Sequence, residues 1–268
     1  MRTLEVRVDA ALRAFEQDCR WDLINGIVGE CPDEVLPLAT GLLRAADERS
    51  RTLGADILGR LAGAEPSTHA AVAAALGEAL PAERSDSTVA SILAALGHLG
   101  DPAGLALVLP FAGHECAEVR LAVAFAIATI GPELVAPEAR AVLIRLSRDD
   151  ECEVRDWATF GLGTLCAADG PDVRAALLAR AEDSSRQTRA EALFGLAVRR
   201  DPRAVPHLIR ALRSPTVDVL EVEAAAESAD PRLLPALWAL QNSGAGDQYR
   251  VRRAIDRCSG KDRPGLPS

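Results

Sequence analysis

Aromatic side chains are scarce in this 268-residue chain: five Phe, three Trp and one Tyr, 3% in all. That excludes a sheet sandwich built around an aromatic core. With 49% of the residues hydrophobic, Ala, Leu and Val must fill the interior, a composition that suits helices packed backbone-close. Lysine is nearly missing, since every one of the 30 basic residues except Lys261 is Arg, which reads as the coding bias of a GC-rich genome. No excess of positive charge exists either. A net charge of −9 and a pI near 5.1 argue against general affinity for nucleic acid or an anionic membrane. No run of about 18 uncharged apolar residues is present to span a bilayer. Glu5, Asp9, Glu16 and Asp18 interrupt the N-terminal stretch where a secretory leader would be apolar. The six cysteines lack paired spacing, so reduced thiols and a cytoplasmic location are expected.

What the chain does have is repetition. "CAEVRLAVAFAIATIGP" (116–132) and "CEVRDWATFGLGTLCAADGP" (152–171) share a Cys, a Val-Arg, a run of small and aliphatic residues and a Gly-Pro stop. Arg51, Arg120, Arg155 and Arg189 each begin such a pattern, at gaps of 69, 35 and 34 residues, the first being about two units. Positions +3, +6, +7 and +10 form one helical face: Val123, Ala126, Ile127 and Ile130 after Arg120, and Ala158, Gly161, Leu162 and Leu165 after Arg155. After Arg189 the face holds Ala192, Gly195 and Leu196, with Arg199 fourth. A unit near Val89 repeats it with Ile92, Ala95, Leu96 and Leu99.

The stops recur too. Asp101-Pro102, Asp201-Pro202 and Asp230-Pro231, with Gly131-Pro132 and Gly170-Pro171, each close one helix (A) and open the next (B), because Asp caps well and Pro favours the first helical position. The B-helix faces read Val205, Leu208, Ile209 and Leu212, then Leu234, Leu237 and Trp238. A lone hairpin cannot bury such a face, so neighbours must stack. The expected organisation is capping helices over 1–32, with Phe15 and Trp21; a repeat array over 33–244; a capping helix over 245–258; and a disordered tail over 259–268.

Val119-Arg120, Val154-Arg155, "LAALGHLGDP" (93–102) and "DPRAVPHLIRAL" (201–212) resemble HEAT-like repeats of the phycobilisome-lyase type. The resemblance covers roughly 33–257. It implies an all-α, right-handed α-solenoid of about six to seven helical hairpins with B-helices lining the inside of the curve. It implies little about activity, since the repeat serves scaffolds, lyase subunits, a hydroxylase and DNA-repair proteins. Two departures stand out: the unit at 89 lacks the Arg, and 217–230 carries Glu221 and Glu223 where Arg and apolar residues are usual.

Catalytic constellations are absent from the sequence. A di-iron hydroxylase site needs several His-Glu pairs, and only His114-Glu115 qualifies; the other histidines are followed by Ala70, Leu99 and Leu208. His114, Cys116 and Cys152 lack the spacing of a zinc site. Neither a metal nor a cofactor is expected, and no catalytic residue is named. Gly161 and Gly163 fall in a helix pattern and serve close packing; Trp238 is expected in the core and Trp157 partly exposed. Charge is segregated: five acids with one Arg over 149–156, five Arg with one Asp over 199–213, five acids and no base over 216–230. Salt bridges between stacked helices would account for it, as would a patterned surface for a partner.

The favoured function is a non-enzymatic scaffold that binds an acidic segment of a protein partner. Its row of cations would be Arg203, His207, Arg210, Arg213 and Arg232, extended by Arg145 and Arg148. The alternative surface is the uncharged stretch 102–113, either fully buried or offering Leu105, Leu109 and Phe111 as an apolar strip. A bilin-lyase-like subunit is the second reading. A nucleic-acid binder like the alkylation-repair glycosylases is the third.

Overall fold

Apolar faces of period 3.6 and repeated Asp-Pro starts dictate helices throughout, and a computed structural model bears this out. It describes residues 2–14, 17–130 and 136–261, and among them there is no strand. Phe15, the Gly131-Pro132 stop and most of the expected tail lie outside the described residues. The chain divides into two compact units, 1–142 and 143–268. The first holds α1 (Arg2–Arg13), α2 (Gln17–Val28), α3 (Pro32–Leu43), α4 (Glu48–Ala64), α5 (His69–Ala79), α6 (Asp86–Leu99), α7 (Leu105–Val108) and α8 (Ala117–Thr129). α9 (Pro137–Leu146) runs over the division. The second holds α10 (Cys152–Phe160), α11 (Pro171–Arg180), α12 (Arg186–Val198), α13 (Ala204–Leu212), α14 (Val219–Ser228), α15 (Leu234–Ser243) and α16 (Gln248–Cys258).

Within each unit the A-helices stack on one another: α4 on α6 and α6 on α8, then α10 on α12, α12 on α14 and α14 on α16. B-helices such as α5, α13 and α15 pack against their neighbours in the stack. This is α-solenoid architecture. The expected A-helix faces are its core, with Ile92, Leu96, Val123, Ala126 and Ile127 buried in the first unit and Ala158, Leu162, Ala192 and Leu196 in the second. Small residues make the stacking possible. A Cβ on Gly97 would lie 2.8 Å from the Cα of Ala126, and one on Gly195 would lie 2.5 Å from the Cα of Gly163. Gly163 therefore serves close packing, as its helical register suggests.

The starts are chemically explicit. Ser85 and Ser185 accept the backbone N–H of Thr88 and Thr188. Asp218 and Glu221 close a reciprocal capping box at α14. Asp101, Asp201 and Asp230 accept N–H groups from Ala103, Arg203 and Arg232, placing each Pro in the first turn of its B-segment.

Three expectations are corrected. Along α15 and the turn before it the buried face is Leu233, Ala236, Leu237 and Leu240, and Trp238 is 48% exposed. Pro231–Leu233 forms a 3₁₀ turn that anchors Leu233, and the i, i+3, i+4, i+7 set counted from Leu233 leaves Trp238 outside. In α13, Ala204 joins the buried face and Ile209 is only half-buried. The third correction concerns Arg199, placed by sequence in a charged surface block but only 9% exposed. The A-helix after Arg155 ends in a π-turn, Gly161–Leu165, which frees carbonyls at its end. The Arg199 guanidinium donates to the carbonyls of Leu162, Gly163, Cys166, Ala168 and Gly195 at 2.6–3.1 Å. A cation satisfied by carbonyl dipoles thus occupies the fourth core position of this unit.

Candidate functional site

The repeated Arg acts first on its own turn. Arg51, Arg120, Arg155 and Arg189 each donate through Nη1 to the carbonyls six and five residues earlier. These are Ala45 and Ala46 (3.3 and 2.8 Å), His114 and Glu115 (2.9 and 2.7 Å), Asp149 and Asp150 (2.8 and 2.9 Å), and Asp183 and Ser184 (2.6 and 3.0 Å). The side chain staples the loop that leads into its A-helix.

The other edge of the guanidinium reaches the next turn. Arg51 Nε and Nη2 donate to Glu83 at 2.8 and 3.1 Å, and Arg155 Nε and Nη2 donate to Asp183 at 3.0 and 3.1 Å. Both acids stand two residues before an N-cap serine and accept its backbone N–H, Ser85 at 2.8 Å and Ser185 at 2.9 Å. Such bidentate, nearly buried pairs are the strong kind. The Arg51 guanidinium, helped by the N–H groups of Ser85 and Arg84, holds the Glu83 carboxyl down at about 2 against the cost of its burial. At Asp183 burial works against ionisation. Arg155, the Ser185 N–H and Arg180 outweigh it and leave the pKa lowered.

Arg189 breaks the series. Two residues before the next N-cap, Asp218, stands Thr216, with no acid to offer. Arg189 keeps its staple to Asp183 and Ser184, and its Nε and Nη2 have no acceptor among the described residues. It lines a cleft of about 360 Å³ in the second unit together with Arg186, Leu193, His207, Arg210 and Thr216. The other cations of that cleft are matched. Arg186 faces Asp218 at 3.6 Å and donates to the Thr216 carbonyl, and Arg210 pairs with Glu182 at 3.1 Å. His207 Nδ1 lies 3.6 Å from Glu182 and makes no hydrogen bond. Asp183 is neutralised by Arg155 and Arg180, and Glu221 is buried in its capping box.

The arginines of the row expected on the B-helices are on the surface but not uniformly free, and His207 is half-buried. Arg203 is held by Asp201 (2.9 and 2.6 Å), two residues upstream, and Arg232 by Asp230 (2.9 and 2.7 Å). Arg203 and the backbone N–H it brings draw the Asp201 carboxyl to about 2. Arg210 is 72% exposed despite its pair, and Arg213 is exposed with no ion pair among the described residues. Arg145 and Arg148 are exposed as well.

The apolar alternative does not hold as a strip: Leu105 is buried, and Leu109 and Phe111 are half-buried. The stretch breaks into 3₁₀ turns around a four-residue α7, and Pro110 inside it removes a helical N–H donor. Its exposed residues include the small Ala103 and Ala106.

Elsewhere the segregated charge is spent internally. Glu223 pairs with Arg250, and Glu227 faces Arg253 at 3.5 Å and Arg257 at 3.4 Å, so the acids of α14 meet the arginines of α16. His114 Nδ1 accepts the Cys116 N–H at 3.2 Å, and Nε2 is 3.9 Å from Asp86. Trp157 is half-buried, edge-on to Phe160. Among the described residues no group of three or more His, Cys, Asp or Glu is placed to hold a metal ion, and no helix is long and apolar enough to cross a membrane.

A family model for HEAT repeats matches twice, over residues 73–163 and 139–229, together more than half of the chain. Protein YibA of Escherichia coli strain K12 and its counterpart in strain O157:H7 are each 36% identical over 119 residues, 44% of this chain. The matched stretch spans 41% of those relatives' length. The crystal structure of E. coli YibA superposes with a TM-score of 0.73 at 23% identity, over 94% of this chain and 91% of that one. Importin beta superposes at 0.56 with 13% identity, over 97% of this chain and 43% of that one. These structural likenesses speak to fold.

Proposed function

From the premise that the chain belongs to the HEAT-repeat family, we propose that it is a non-enzymatic scaffold that docks an acidic segment of a protein partner on the cationic surface of its second unit. The observation that carries this reading is Arg213 at the C-terminal cap of α13 and Arg210 on its polar face. One is exposed without an ion pair, the other exposed beyond a single weakly held one. Guanidinium groups suit carboxylates because two N–H donors meet two oxygens. Arg203 and Arg232, already matched by their own aspartates, frame that surface and hold their B-helix starts.

The test is a titration of fluorescein-labelled hexaglutamate into the full chain. Binding should be weakened about tenfold by the pair Arg210→Glu and Arg213→Glu, with an unchanged helical spectrum, and hexaglutamine should not bind. Equal binding by the charge-reversed protein would remove α13 from the site.

A further inference from the structure

We propose that the unmatched fork of Arg189 receives the side-chain carboxylate of an Asp or Glu from the partner's acidic segment, a proposal that rests on the acidic-segment reading above. The fold itself supplies the precedent. At Arg51 and Arg155 the same two N–H donors, Nε and Nη2, are filled by Glu83 and Asp183, each carried on a polypeptide turn two residues before a helix cap. At Arg189 that turn offers Thr216. The fork is already oriented, because Nη1 is fixed on the carbonyls of Asp183 and Ser184, so an incoming carboxylate orders little that is not ordered already. The cleft of about 360 Å³ has room for an acidic side chain, and Leu193 and Ala211 give it apolar walls against which a Glu stem can lie. Arg186 and Arg210 also line the cleft, but each is matched by an acid, Asp218 and Glu182, which leaves Arg189 as its unmatched cation. A peptide carboxylate is favoured over a free anion because two other repeats, at Arg51 and Arg155, use this fork for turn-borne acids.

Thr216→Asp decides the matter, since it returns an acid to the position of Glu83 and Asp183 and leaves Arg189 in place. Hexaglutamate should bind this variant about tenfold more weakly than the wild-type chain, with an equal or higher melting temperature. Ser214→Asp adds the same charge to the same cleft off the rung and should weaken binding by about threefold or less. Arg189→Gln should match Thr216→Asp in binding, whatever it does to the turn that Arg189 staples. Equal binding by wild type and Thr216→Asp would overturn the proposal and leave the acidic-segment reading to the Arg210 and Arg213 variant. Equal weakening by Ser214→Asp would reduce the effect to general charge and overturn it likewise. Absence of hexaglutamate binding to every form would overturn both readings. Displacement of the peptide by an equal concentration of inorganic phosphate would overturn the choice of a peptide carboxylate.

Discussion

Arg155 and Arg189 occupy the same position in successive repeats of the second unit, staple the same kind of loop through Nη1, and differ in what the next turn presents. Arg155 meets Asp183, which is nearly buried and also holds Arg180 and the Ser185 N–H. For Arg189 the corresponding position of the next turn is Thr216, and both line a cleft. The residue that decides whether a repeat arginine is structural or available therefore sits about 30 residues further along the chain. A third arginine, Arg199, marks the buried extreme, with carbonyls in place of any carboxylate.

That extreme gives the largest expected effect. Arg199→Met should destabilise the chain by about 3–5 kcal/mol, because five carbonyls lose their donor while the site stays closed to water. Chemical denaturation would measure it, and a loss under about 1 kcal/mol would mean that water replaces the guanidinium.

Next comes the matched rung against the unmatched one. Asp183→Ala should lower stability by about 2–3 kcal/mol, whereas Thr216→Ala should change it by less than about 0.5 kcal/mol. Similar losses at both positions would erase the contrast.

The matched rungs should also fail in acid. The folded pKa of Glu83, about 2, lies below its ordinary value of 4.5, so its stabilisation is present above pH 4.5 and is lost as pH falls from there through about 2. Glu83→Gln should be less stable than wild type at neutral pH, and the two should converge towards pH 2. A constant gap across that range would contradict the assignment of the shift to Arg51.

The smallest effect lies at the helix ends. Arg200 adopts φ 50°, the left-handed conformation that Gly100 holds after α6. Arg200→Gly should stabilise the chain by roughly 0.5–1 kcal/mol.

Much of this is legible in the sequence, and the limits are physical. The A-helix faces, the Asp-Pro starts and the helical hairpins follow from local periodicity, and the structure has them. The phase of α15 is not legible, because the 3₁₀ turn at Pro231–Leu233 resets the face and turns Trp238 outward, whereas Val205, Leu208 and Leu212 of α13 are buried as their spacing suggests. Arg199 reads as surface charge because its partners are carbonyls freed by a π-turn some 35 residues earlier, and no spacing rule announces that turn. The arginine row is visible in the sequence, but Arg203 and Arg232 look free there when Asp201 and Asp230, two residues upstream, already hold them. Aligning the turns on their N-caps would have exposed the site at Arg189: Glu83, Asp149 and Asp183 stand two residues before a cap, and then Thr216 does.

Position 216 is a rung with its acid left out. A double-mutant cycle on folding stability between Thr216→Asp and Arg189→Ala tests it without any ligand. The carboxylate introduced at position 216 and Arg189 should couple favourably by about 1 kcal/mol or more, approaching the coupling of Arg155 with Asp183 measured in the same way. Additive effects, within about 0.3 kcal/mol, would show instead that Arg189 does not face that position.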